Sequence, residues 1–131
     1  MITGKVRWIG NEKFEASVEE GGKIIFGEKG ISPMRTLLLA VAGCTAIDVV
    51  MILQKMREPI KDLEIEISGE RREEHPRIYK KIHIHYKIYG NVKPEKAKRA
   101  IELSQNKYCS ASAHLKLSGT EVAYTFEIIN E

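Results

Sequence analysis

Two cysteines, Cys44 and Cys109, are the only thiols among the 131 residues. Cys44 lies in AVAGCTAIDVV, residues 40 to 50, where a glycine, a threonine and an aspartate interrupt an apolar run. Cys109 lies in KYCSASAHLKL, residues 107 to 117. A cysteine acts as nucleophile only as thiolate, which needs a nearby cation or a helix N-terminus. Cys44 has neither close in sequence. Asp48, four residues on, shares its helical face, and a carboxylate there works against thiolate formation. Arg35, nine residues earlier, points to the opposite side of the helix, about 13 Å away along the axis. Any activating cation must therefore come from another element or another chain. Cys44 reads equally well as a small buried hydrophobe.

Cys109 is followed five residues later by His114, a spacing poorly suited to contact on a helix. His83 and His85 share one face of a strand with no third metal ligand near, so they read as solvent-facing. Two cysteines without a CxxC make no zinc site by themselves. The sequence thus predicts no metal and no bound cofactor.

The elements that must position these thiols follow from periodicity. Residues 5 to 8, 14 to 18 and 23 to 26 form three short strands, with Gly21-Gly22 as a turn. Ser32-Pro33 opens a helix, serine as N-cap and proline at the first helical position. It runs to about Arg57, where Glu58-Pro59 stops it. Its first half is apolar on every side, so it must be enclosed on every side. In so small a domain this calls for a second subunit. The run from Thr36 to Leu53 approaches the length of a bilayer span, yet Asp48 near its centre costs on the order of 3 kcal/mol there. A buried helix of a soluble protein is the expectation. Gly43 inside it, costing about 1 kcal/mol against alanine, suggests close packing over that point.

Leu63, Ile65 and Ile67 alternate with polar residues in a strand with one wet face. Glu70 to Pro76 is a polar turn. Ile78, Ile82, Ile84, Tyr86 and Ile88 are expected on one face of a long strand. Pro94 opens a second helix reaching about Asn106, a short further helix fits within 107 to 117, and Val122 to Ile128 alternate in a last strand. The order β-β-β-α-β-β-α-β describes an α+β fold, in a single domain over residues 1–131.

The remaining composition narrows the function. A hydrophobic fraction of 43% with 30% charged residues suits a soluble globular chain. A net charge of +3, with Lys and Arg interleaved among Glu, makes no basic stripe for nucleic acid. The start, MITGKVRWIG, carries no apolar signal core, so a cytoplasmic chain with reduced thiols is expected.

Ser32-Pro33-Met34, AVAGCTAIDVV and KYCSASA resemble the OsmC/Ohr family of osmotically inducible and organic hydroperoxide resistance proteins. ERREEHPRIYKKIHIHY is similar to its YhfA-type branch. These stretches cover most of residues 32 to 115. The resemblance implies an intertwined homodimer with two long central helices between two sheets. It also implies a thiol peroxidase for organic hydroperoxides, with Cys44 peroxidatic and Cys109 resolving, served by an external dithiol. Peroxidatic members carry a glutamate directly after the opening proline, holding a catalytic arginine. Here that position is Met34, and Arg7, Lys13 and, across a dimer interface, Arg35 are the candidate cations. A binding module taking a small apolar or electrophilic ligand in the dimer cleft is the alternative. A structural dimer with inert thiols is the third reading.

Overall fold

A computed structural model describes residues 1–130. Contacts divide it into two compact units, Met1–Leu37 and the chain from Leu38 onward.

The first unit is an antiparallel meander, β1 (Gly4–Trp8), β2 (Lys13–Val18) and β3 (Lys23–Gly27). Pairing sets Val6 against Ala16, Trp8 against Phe14 and Phe14 against Phe26. Because side chains alternate along a strand, these collect on one apolar face. Arg7 pairs with Glu15 and Lys13 opens β2, so both lie on the polar face. No described residue of this unit is fully buried, and a sheet this small needs its apolar face covered. The unit ends in the first turn of α1 (Pro33–Lys55). There the Arg35 amide donates to the Ser32 hydroxyl at 3.3 Å, the cap expected from Ser32-Pro33.

The second unit continues α1 and adds β4 (Ile60–Arg71), β5 (Tyr79–Gly90), α2 (Pro94–Leu103), a π-helical turn (Ser104–Tyr108), α3 (Ser110–Leu117) and β6 (Glu121–Ile129). The predicted order holds, with the short extra helix realised as α3. The sheet order is β4-β5-β6. β4 and β5 pair antiparallel, whereas β6 returns parallel to β5 after the helical crossover. Register aligns Ile67, Ile84 and Tyr124 in one row and Ile65, Tyr86 and Phe126 in the next. Ile82, Ile84, Tyr86 and Ile88 are buried.

One expectation about that face changes. Register shifts between Glu70 and Arg71, which face Lys81 and Tyr79, so Lys80 bulges out of the ladder. A bulge breaks the period of two. Tyr79 therefore takes the buried place expected for Ile78, which is exposed. The opposite face is polar as expected. His85 lies between Thr125 at 2.7 Å and Glu127 at 3.3 Å, and Lys87 pairs with Glu64 and Glu66.

Within α1, Val41, Thr45, Val49 and Leu53 are wholly buried at a spacing of four. The remainder of the helix is less enclosed than the sequence suggests. Leu39, Ile47 and Met51 are 54%, 64% and 52% exposed, and a side chain at Gly43 would meet nothing within 4 Å. The close packing expected over Gly43 is not made by this chain. By length and composition α1 is apolar enough to cross a membrane.

Thr45 anchors the helix to the sheet. Its hydroxyl lies 2.7 Å from the Tyr86 hydroxyl on β5. Burial pushes the Tyr86 phenol from 10.0 up to about 12, although hydrogen bonds from Thr45 and Gln105 pull the other way. The folded pKa thus exceeds the unfolded one, so this stabilisation is complete below the unfolded value and lost as pH rises through the folded one. Stability should fall between about pH 10 and 12. Denaturant unfolding of wild type and Tyr86→Phe across that window is expected to show a shallower decline in the variant. Equal slopes would remove Tyr86 as the cause.

Candidate functional site

The buried stripe of α1 fixes what lies beside it. Cys44 precedes Thr45 and shares a face with Asp48, one turn on, and both are half-buried. Helix geometry thus presents a thiol and a carboxylate together at the edge of the core.

Cys109 reaches them from the crossover. Ser104, directly after α2, donates to Asp48 Oδ2 at 2.9 Å and lies 2.7 Å from the Thr45 hydroxyl. Gln105 Nε2 donates to Thr45 Oγ1 at 3.2 Å and to the Tyr86 hydroxyl at 3.3 Å. Gln105 Oε1 is buried with no hydrogen-bond partner. The next turn is π-helical, so the Cys109 amide donates to Ser104 O, five residues back, at 2.7 Å. An α-helical turn would have used Gln105 O instead. That carbonyl is left free and accepts from Lys116 Nζ at 2.6 Å.

These contacts bring both cysteines to one place. The sulfurs of Cys44 and Cys109 and a carboxylate oxygen of Asp48 all lie within 4.8 Å of one another. Both thiols are free. Cys109 is buried, and its sulfur lies 3.1 Å from the Ser112 hydroxyl. Burial pushes the Cys109 thiol up, and its neighbour Cys44 adds to the rise. The Ser112 hydroxyl and backbone N–H, at the third position of α3, act in the opposite sense. Burial lowers the Lys116 ammonium, and the field of Cys109 pulls it back up. Lys116 is thus a cation whose own titration registers Cys109.

His114, at the spacing of five that suits contact poorly, is exposed, and Cys109 meets Ser112 and Cys44. Ser112 and Lys116 lie three and seven residues after Cys109, on one helical face, a spacing visible in KYCSASAHLK. Arg7, Lys13 and Arg35, the sequence candidates for activation, all belong to the Met1–Leu37 unit. Arg7 and Arg35 are exposed and Lys13 is half-buried. His83 and His85 join no cluster of metal-ligating residues among the described ones.

Beside the thiols runs a groove of about 420 Å³, lined by Met51, Ile52, Met56, Leu103 and Tyr108, with Asp48 and Lys55 as its charged residues. Apolar walls with a few polar groups suit a small organic ligand. The site therefore holds two free sulfurs close together, with an apolar groove that shares its Asp48.

Comparison with known proteins agrees with this arrangement. A family model described as "OsmC-like protein" matches residues 26–125. Protein YhfA of Escherichia coli strain K12 is 36% identical over 133 aligned positions, covering 98% of both chains. A hypothetical protein from Aquifex aeolicus VF5, solved by crystallography, superposes with a TM-score of 0.87 at 34% identity, covering 98% of this chain and 97% of that one. The organic hydroperoxide resistance protein OsmC of Legionella pneumophila has the same fold, with a TM-score of 0.73 at 14% identity over 97% of this chain and 96% of that one. The fold, the full-length match to YhfA and the family model together establish that this chain belongs to the OsmC-like protein family.

Proposed function

We propose that the protein is a thiol-dependent organic hydroperoxide reductase, acting as a cytoplasmic homodimer in which residues 1–131 form one OsmC-like domain. The observation that carries the reading is the approach of the Cys44 and Cys109 sulfurs to within 4.8 Å. Cys44 is the more accessible of the two, which suits it to meet the peroxide first. Its thiolate attacks the outer oxygen of R–O–O–H, giving Cys44–S–OH and RO⁻, which takes a proton and leaves as alcohol. The Cys109 thiolate then attacks the Cys44 sulfur and expels hydroxide, which is protonated to water as the disulfide forms. An external dithiol restores both thiols by exchange. The Ser112 hydroxyl and backbone N–H favour the Cys109 thiolate needed in the second step. The apolar groove supplies a place for the R group.

The measurement is peroxide consumption with an alkyl hydroperoxide and a dithiol. Wild type is expected to turn over. Cys44→Ser should lose at least about a hundredfold, as removal of a nucleophile does. Cys109→Ser should accumulate Cys44 sulfenic acid, trapped by a dimedone-type reagent, without sustained turnover. Wild type no faster than Cys44→Ser overturns the proposal.

A non-catalytic module binding a small apolar or electrophilic ligand is the second reading, favoured by the groove itself and by Met34 at the family's glutamate position. An intact ligand released from purified protein, with no peroxide turnover, would select it.

The dimer rests on Leu39, Ile47 and Met51, large apolar residues exposed on a single chain. Sedimentation equilibrium is expected to give twice the chain mass of 14.9 kDa. Ile47→Glu should shift that equilibrium toward monomer or cause aggregation, since a charge would be desolvated in the interface. An unaltered dimer would exclude this face of α1.

A further inference from the structure

The same residues have a second chemistry that peroxide reduction does not use. Asp48 takes no part in either thiol step. Yet it is held in place from behind, by Ser104, with Thr45 holding Ser104 in turn. One carboxylate oxygen is thereby committed to Ser104 and the other is left available. Two sulfurs and that carboxylate converge within 4.8 Å. The cluster mixes two helices and the crossover turn, so it is a consequence of tertiary structure rather than of one charged segment.

We propose that, in the reduced protein, Cys44, Cys109 and Asp48 form a three-ligand site for a thiophilic divalent cation, zinc above all. A zinc ion takes Cys sulfur at about 2.3 Å and carboxylate oxygen at about 2.0–2.2 Å, so tetrahedral edges span about 3.5–3.8 Å. The three atoms lie within 4.8 Å of one another, about 1 Å from those edges. Thiolate ligands select zinc, cadmium or cobalt over magnesium and calcium. Binding displaces one proton from each thiol, and no electron moves.

The charges balance. Two thiolates and one carboxylate carry three negative charges, the ion two positive ones, and Lys116 of α3, bonded to Gln105 O, carries a third. The Ser112 hydroxyl, 3.1 Å from the Cys109 sulfur, orients that ligand as Ser104 orients Asp48. A fourth position stays open, as in catalytic rather than structural zinc sites. Ion and disulfide compete for the same sulfurs, so oxidation of the pair expels the metal. The site stands on this geometry and does not depend on the peroxidase reading.

The test uses the full-length reduced protein and Co²⁺ as a spectroscopic probe, with no peroxide present. Expected are thiolate-to-cobalt charge-transfer bands saturating at about one ion per chain, and their loss on adding Zn²⁺ but not Mg²⁺. Cys44→Ser should weaken the bands and the affinity by at least about tenfold, and Asp48→Asn should weaken affinity by about tenfold or more with bands retained. Circular dichroism and titration of the remaining thiols identify any variant that has not folded, and wild type alone then decides. Absence of the bands in reduced wild type, bands unaffected by Cys44→Ser, or an affinity unchanged in Asp48→Asn would each overturn the site. Bands in a protein that leaves peroxide untouched would support the metal site and end the peroxidase reading. Turnover without bands would do the reverse.

Discussion

The chemistry depends on one buried hydroxyl. Thr45 occupies a fully buried position on an otherwise apolar stripe, where an unpaired hydroxyl would cost about 1–3 kcal/mol. It is paired several times over, by Tyr86 on β5 and by Ser104 and Gln105 beyond α2. Each bond fixes an element that carries something else. Tyr86 ties α1 to the central strand of the sheet, and Ser104 brings the end of α2 across α1. The residue before Thr45 is Cys44, and the residue three after it is Asp48, so locking Thr45 sets the position of both. A valine would fit the same space and leave Tyr86, Ser104 and Gln105 short of a partner.

This network also explains why the thiols differ. Cys109 returns to the core after the exposed residues 106 to 108, and burial raises its pKa. Cys44 sits half-buried at the network's rim. One sulfur is therefore reached from solvent while the other lies behind it. Accessibility, more than charge, distinguishes the two thiols.

Much of this was legible in the sequence. Ser32-Pro33 and Glu58-Pro59 bracket α1, alternation identifies the strands, and two cysteine contexts mark the site, because capping and periodicity are local signals. What escapes such reading is non-local. The bulge that replaces Ile78 with Tyr79 is a matter of register with β4. The parallel placement of β6 depends on where the crossover lands. A helix apolar all round announces that something must cover it, and Leu39, Ile47 and Met51 remain open on the single chain. Lys116 was within view, seven residues after Cys109, yet its relevance requires knowing that residues 110 to 117 are helical and which way Cys109 enters them.

The π-helical turn is the device that joins these facts. Had α2 continued in α-helical register, the Cys109 amide would take Gln105 O and the chain would reach Cys109 one hydrogen bond earlier. The wider turn shifts that amide to Ser104 O and leaves Gln105 O without its helical partner. A buried carbonyl so released must find a donor, and Lys116 from α3 provides it. The same ammonium feels the field of Cys109. Ser104, which bonds Asp48 through its side chain, serves the Cys109 amide through its carbonyl. One extra residue in a helical turn thus gives the Cys109 amide and the Lys116 ammonium their partners.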